Sequence, residues 1–420
     1  MCYYKNMNKI ELLLPAGNKE KLEYAIRYGA DAVYLGVVDF SLRAMRKGEL
    51  ITLDNLKESI DLAHQLGKKA YLTLNIFAFN KDIKLLESCM DKISESNPDA
   101  LIMSDVGIMR TARKYMPDTP IHVSTQTSTL NYEAVRFWQD YGATRAILGR
   151  EVSIKDMAEM KELVPDMELE VFVHGAQCVS FSGRCLISDY MTNGERKANQ
   201  GNCCQPCRWS YKLVEETRPG QYYEIEQNDR GTHIMSTKDL CLVNHLSKLI
   251  DAGVDSLKVE GRTKSLYYVS AVAKTYREAI DAVYNDKNAD MTPYFNELLK
   301  VGNRGYTTGF YLGDGEYPND GYSYDISKGL AGADFLCEIL DKKDDYYKIK
   351  TKNKFYTNND IEIISPSEKF IAQAIKIKDE NGEEKEFANT NDDLWVKFDK
   401  PINEYKYAIA RTVGIKNNEN

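Results

Sequence analysis

From Glu11 onward, short apolar or β-branched runs alternate with longer stretches of helical period. The strand-like runs are ELLLPAG (11–17), DAVYLGV (31–37), KAYLTLN (69–75), DALIMSD (99–105), IHVSTQ (121–126), RAILGR (145–150), ELEVFVHG (168–175) and SLKVEGR (256–262). Between them lie amphipathic stretches such as NKEKLEYAIRYG, LDNLKESIDLAHQLG and NYEAVRFWQDYG, which end in Gly as helices tend to. Alternation of this kind predicts repeated βα units around a parallel sheet. Eight units suit a TIM-like (β/α)8 barrel better than an open doubly wound sheet, and no GxGxxG follows the first run.

The alternation breaks once. Between the seventh and eighth runs stand about 80 residues where roughly 25 or 30 would do. Loops leaving the C-terminal ends of barrel strands build the functional rim, so an insertion starting after Gly175 belongs there. After a helix predicted over 265–284 the texture changes: 301–333 is rich in Gly, Tyr, Asn and Asp and reads as an extended connection. Short alternating runs spaced by turn-formers then predict a small antiparallel β-barrel. The expected organisation is a barrel over 1–290 with a cysteine-rich insertion over 176–235, a connection over 291–330, and a C-terminal β-barrel domain over 331–415 that serves RNA binding.

Charge and cysteine use narrow the function. The 420 residues are 43% hydrophobic, enough for a sizeable core, and the net charge of -8 argues against a surface built wholly to coat nucleic acid. The opening MCYYKNMNKI lacks the apolar run of a secretion signal, and no stretch approaches the length of a membrane span. A cytoplasmic location, with no membrane partner, is the expectation. Six of nine cysteines nevertheless gather in one region: Cys178, Cys185, Cys203, Cys204, Cys207 and Cys241. In a reducing compartment such a gathering points to metal ligation rather than disulfides. Structural zinc sites usually show two close CxxC-type pairs, whereas the wider spacing here suits a four-iron four-sulfur (4Fe-4S) cluster.

A hydrolytic reading finds less support. None of His64, His122, His174, His233 and His245 stands in an HExxH motif, and there is no GxSxG elbow. Cys178 with nearby His174 is the one pair that a thiol peptidase could use.

EVFVHGAQCVSFSGRCLIS resembles the signature of the collagenase-like peptidase family U32, through Glu170, Phe172, Gly175, Cys178, Gly183, Cys185 and Ser188. ELLLPAGN, GADAVYLG with FSLRA, NQGNCCQPCRWSY and LKVEGRTKS extend the resemblance over nearly the whole chain. It implies an iron-sulfur protein, with Cys178, Cys185, Cys203 and Cys207 as ligands and Cys204 and Cys241 as spare thiols that leave the third and fourth ligands ambiguous. It further implies oxygen-independent hydroxylation of the tRNA wobble uridine to 5-hydroxyuridine, with prephenate as hydroxyl donor. The alternatives it leaves open are a peptidase and an iron-sulfur assembly partner paired with a paralogous U32 subunit.

Other candidates stand in or just after the predicted strands, and Trp209 beside the cysteines. His174, Arg150, Glu260 and Arg262 are the expected catalytic group, and Arg43, Asn75, His122, Gln126 and Trp209 the expected substrate-binding group. Arginines suit a dicarboxylate because the guanidinium fork binds carboxylates bidentately. Trp209 offers a plane for a splayed-out base. In the C-terminal domain Lys348, Lys350, Lys352 and Lys354 alternate along one predicted strand, either a protected edge or a phosphate-tracking face.

Overall fold

The computed structural model describes residues 9–37, 40–41, 50–178, 180–183, 185–193, 195–196, 203–208, 227–228, 231–232, 237–313 and 332–414. All eight predicted strands form: β1 Glu11–Pro15, β2 Ala32–Gly36, β3 Lys69–Leu74, β4 Ala100–Met103, β5 Ile121–Val123, β6 Arg145–Ile147, β7 Glu168–Gly175 and β8 Ser256–Val259. Each pairs in parallel with the next, and β8 pairs with both β7 and β1, so the ring closes as a TIM-like barrel. Helices α1 Lys19–Arg27, α2 Leu56–Gln65, α3 Asn80–Glu95, α4 Val106–Tyr115, α5 Tyr132–Asp140 and α6 Ile154–Leu163 follow the first six strands in turn. Their starts are chemically marked. Asn18, Asp105, Asn131 and Ser153 each accept a backbone N–H of the first turn, satisfying donors the helix leaves orphaned.

The insertion carries a short helix, α7 Ile187–Met191, and then rejoins the scaffold. Its returning strand Asp239–Cys241 pairs antiparallel with the end of β7, setting Leu240 opposite Gly175 and Cys241 opposite His174. Helix α8 Leu246–Asp251 leads into β8, and α9 Leu266–Asn285 packs against the ring. The stretch predicted as a plain extended connection needs correcting. Its first part holds a helix, α10 Thr292–Leu299, and Tyr306–Thr307 adds a parallel strand beside Asp239–Leu240. Tyr311 then donates to the Phe172 carbonyl of β7 at 2.7 Å, so this segment belongs to the barrel body. The signal was hidden because two-residue pairings leave no periodicity to read.

The C-terminal domain is antiparallel: β9 Phe335–Lys343, β10 Tyr346–Thr351, β11 Asp360–Ile364, β12 Lys369–Lys378, β13 Asp393–Phe398 and β14 Ile409–Thr412. Sheet order is β11-β14-β9-β10-β13-β12, and the β11–β12 pairing closes it around its own apolar core of Leu336, Ile349, Ile363 and Val396. Strand β10 sits between β9 and β13, so the lysine row is not on a sheet edge. Lys352 and Lys354 lie past its end, where Lys354 packs over the Phe387 ring at 4.1 Å.

Arg411 of β14 fastens the two domains. It has no solvent exposure and reaches Glu362 of its own domain at 2.7 Å, the Tyr267 hydroxyl of α9 at 3.0 Å, and Glu297 of α10. Removing one partner of a buried ion cluster strands the rest. Arg411→Met is therefore expected to cost about 3 kcal/mol in urea unfolding, the low end of such losses, because Lys300 and Lys369 remain beside the two carboxylates. A loss within error would show that the clamp is not what couples the domains.

Candidate active site

Barrel interiors are normally filled by branched aliphatic side chains, but here the lumen carries charge. At its lower end Arg145 bonds Glu11 at 2.6 Å, Glu168 at 2.8 Å and Glu170 at 3.0 Å. One layer up, Lys258 donates to Glu170 at 2.7 Å and lies 4.5 Å above the Tyr34 ring. Burial alone would raise the Glu11 carboxyl, yet the Arg145 charge and the hydrogen bonds to it hold its pKa below the ordinary value on balance. For Lys258 burial wins, and its ammonium is lowered despite Glu170. His122 sits in this layer, edge-on to Tyr71 with ring centroids 4.7 Å apart. It is buried, its Nδ1 has no partner, and burial first, then the charges of Arg145 and Lys258, keep it neutral. So His122 lines the lumen well below the mouth.

Strand spacing puts Lys258, Glu260 and Arg262 in alternate positions, leading upward from β8. Arg262 is buried and donates to the Ser41 and Thr73 hydroxyls, the latter at 3.1 Å. Gly36 makes this possible: a Cβ there would meet Ser41 Oγ and Thr73 Oγ1 at 2.3 Å and Arg262 Nη1 at 2.5 Å. Across the mouth Arg150 stacks over Phe172 at 4.0 Å and stands 3.8 Å from Glu260. Gln126, in a 3-10 turn after β5, accepts at Oε1 from Ser104 at 3.0 Å and Ser124 at 3.3 Å, and Ser104 also reaches the Asn75 carbonyl at 3.4 Å. Arg150, Glu260, Arg262, Asn75 and Gln126 thus all stand at the C-terminal rim of the barrel. Arg43 and Trp209 lie outside the described residues.

His174 goes elsewhere, and its expected catalytic place is a correction. Its ring is packed among Tyr268, Tyr276 and Tyr306, with Tyr276 Oη 3.5 Å from Nδ1. Burial, reinforced by the Lys264 charge, lowers its pKa to about 3. Cys241 joins the same enclosure, buried and pushed up to about 12 by desolvation, so it is a scaffold thiol. With His174 walled in and Cys178 exposed, the thiol-imidazole pair of a peptidase is not assembled.

Both buried histidines have depressed folded pKa values. They stay neutral while an unfolded imidazole takes a proton below about 6.5, so their stability contribution is full above that pH and is lost as pH falls toward the folded values. Stability is expected to drop by about 1.4 kcal/mol per histidine per pH unit below 6.5. His174→Phe should flatten that slope in urea titrations between pH 6.5 and 5; an unchanged slope would mean that His174 titrates normally.

The cysteines of the insertion divide by their hydrogen bonds. Cys178 Sγ accepts from the Ser180 amide at 3.5 Å, Cys185 Sγ from the Ile187 amide at 3.4 Å, and Cys203 Sγ from the Gln205 amide at 3.3 Å. All three sulfurs receive an N–H from two residues on, the kind of outer hydrogen bond that orients a metal-bound sulfur and tunes its centre. Cys204 differs. Ser188 Oγ donates to the Arg196 carbonyl at 2.7 Å, accepts from the Cys204 amide at 3.0 Å, and lies 3.2 Å from Cys204 Sγ, so this sulfur is turned onto Ser188. Cys207 is half-buried in a 3-10 turn that packs on α7.

Glu151, expected at the barrel mouth but given no catalytic or binding role, anchors this loop to the barrel. Its carboxylate takes the Ser182 amide at 2.6 Å and the Ser182 hydroxyl at 3.0 Å, fixing Ser182 at a left-handed φ of 47°. A non-glycine residue held there is strained and marks an over-determined turn. Among the described residues no three His, Cys, Asp or Glu side chains converge tightly enough to chelate a single metal ion. The donor chemistry of the three amide-bonded thiols fits a larger metal-sulfur group spanning separate turns.

Fold and rim together define a TIM-type barrel protein with a cysteine-bearing insertion at a mouth that carries Arg150 and Arg262. The chain belongs to peptidase family U32: the family model matches residues 17–320 and the U32 C-terminal domain model matches 332–411. It is 39% identical over 403 residues to tRNA hydroxylation protein P of Escherichia coli K12, covering 86% of this chain and 87% of that one. It is 37% identical over 381 residues to tRNA hydroxylation protein P1 of Bacillus subtilis 168, covering 90% and 88%. A protein named collagenase from Porphyromonas gingivalis W83 is 35% identical over 321 residues, covering 73% and 75%. No described helix is long and apolar enough to cross a membrane.

Proposed function

We propose that this chain is an RNA-modifying enzyme that hydroxylates the wobble uridine of tRNA to 5-hydroxyuridine without molecular oxygen. In this reading Cys178, Cys185, Cys203 and Cys207 hold a 4Fe-4S cluster over the barrel mouth, and prephenate supplies the hydroxyl. The observation that carries the reading is the shared amide-to-sulfur bonding of Cys178, Cys185 and Cys203 at the rim of a U32 barrel. Relatives named for tRNA hydroxylation support the substrate, since they match over most of both chains. A bound cluster would supply one-electron chemistry beside the base.

The chain's own residues would do the rest. Arg262, steadied by Ser41 and Thr73, and Arg150, steadied by Phe172 and Glu260, would grip the carboxylates of the cosubstrate. Gln126 and Asn75 would meet the polar edge of the base. The peptidase reading is weaker because Cys178 is exposed while His174 is buried among tyrosines, so they do not form a thiol-imidazole pair. Anaerobic purification tests the proposal: brown protein carrying roughly four irons per chain is expected, and a colourless protein with one zinc would sink it.

A further inference from the structure

We infer that the outer face of the C-terminal barrel is an RNA-docking surface. This rests on the proposed RNA substrate and adds where its backbone lands. Register across β9, β10, β13 and β12 sets two neighbouring rows on one face: Lys343, Tyr346, Lys397 and Lys376 in one, and Asp341, Lys348, Trp395 and Lys378 in the other. Between the rows, Tyr347, Val396 and Ile377 point into the core, which fixes the side chains of both rows outward. At strand spacings of about 4.8 Å across and 6.8 Å along, the panel covers about 14 by 7 Å.

Its composition is specific. Five lysines surround two half-buried aromatic rings, and Lys378 Nζ lies 4.8 Å over the Tyr346 ring. The acids stand at the margins: Asp341 at the end of one row, Asp345, Glu380 and Glu384 against Lys397, Lys348 and Lys376. Those three side chains are 76%, 63% and 64% exposed, and exposed pairs of this kind are weak and screened by salt. Phosphates can therefore take over the lysines. A lysine panel on a chain of net charge -8 is selective for a polyanion. Planes interleaved with cations favour a nucleic acid over an acidic protein, because unpaired bases stack on Trp395 and Tyr346 while carboxylate side chains have no face to offer.

The test uses the full-length chain and an unmodified tRNA transcript. Substituting Lys348→Gln, Lys376→Gln, Lys378→Gln and Lys397→Gln together should weaken binding by at least about 10-fold at low salt and flatten the plot of log affinity against log salt by about 2 to 4 units. Trp395→Ala alone should weaken binding roughly 5- to 100-fold with little change in salt slope, and circular dichroism confirms that each variant folds. Unchanged tRNA affinity and slope in the quadruple variant would overturn the surface, as would loss of polyglutamate binding with tRNA binding intact. Binding of tRNA through this face by a protein that makes no 5-hydroxyuridine would leave the surface standing and remove the hydroxylase reading.

Discussion

Cys203→Ser is expected to strip the protein of iron and of RNA modification, while Cys204→Ser, one residue along, leaves both near the wild-type level. The adjacent thiols are equivalent in sequence but not in space. Cys203 is exposed and its sulfur accepts the Gln205 amide, whereas the Cys204 sulfur is turned back onto Ser188, itself committed to Arg196 and to the Cys204 amide. Losing even an outer partner of a metal site costs roughly 10- to 100-fold, so loss of a ligand should lower activity by at least on the order of 100-fold. Iron analysis and nucleoside mass spectrometry of the two variants provide the readout. Equal losses, or a loss confined to Cys204→Ser, would reassign the third ligand.

Arg145→Met is expected to be the most destabilising single change in the barrel lumen. The guanidinium joins Glu11, Glu168 and Glu170, of which Glu170 is wholly buried, and Lys258 already serves Glu170 from the other side. Deleting the cation leaves carboxylates in low dielectric with one ammonium between them, a loss of about 3–5 kcal/mol in urea unfolding at neutral pH. The pH dependence has a definite sign. Because the folded pKa of Glu11 is depressed, the stability it contributes is present above the ordinary value of 4.5 and is lost as pH falls through the folded value. The gap between wild type and Arg145→Met should therefore narrow in acid. A variant as stable as the wild type would show that the lumen charges are dispensable.

Much of this architecture is legible in the sequence. The eight strands were legible because a strand buried on both sides is a continuous apolar run, and that run differs sharply from a helical period. The cysteine region was legible by density alone. What the sequence could not separate was direction: Cys203 from Cys204, or Cys241 as a scaffold thiol, depends on which way a side chain turns. His174 misled for the same reason. It ends a strand at the rim, but a register shift between Lys258 and Val259 on the partner strand accompanies its placement among the tyrosines of the outer scaffold. Glu151 is legible as a rim residue after the sixth strand, but its role is not, because it holds a loop 31 residues away. The lysine panel was half visible: Lys348 alternates as predicted, but Trp395, Lys376, Lys378 and Lys397 come from distant segments that only strand register unites.

The proposed hydroxylation of tRNA uridine by this barrel is tested most directly in cells. A strain lacking its own tRNA hydroxylation proteins is complemented with this chain and grown under strict anaerobiosis, and its tRNA is digested for nucleoside mass spectrometry. The predicted result is the return of 5-hydroxyuridine and its derivatives, one oxygen atom heavier than the parent nucleoside, with the wild type and not with Cys178→Ser. Unmodified uridine with the wild type, or equal restoration by Cys178→Ser, would contradict it.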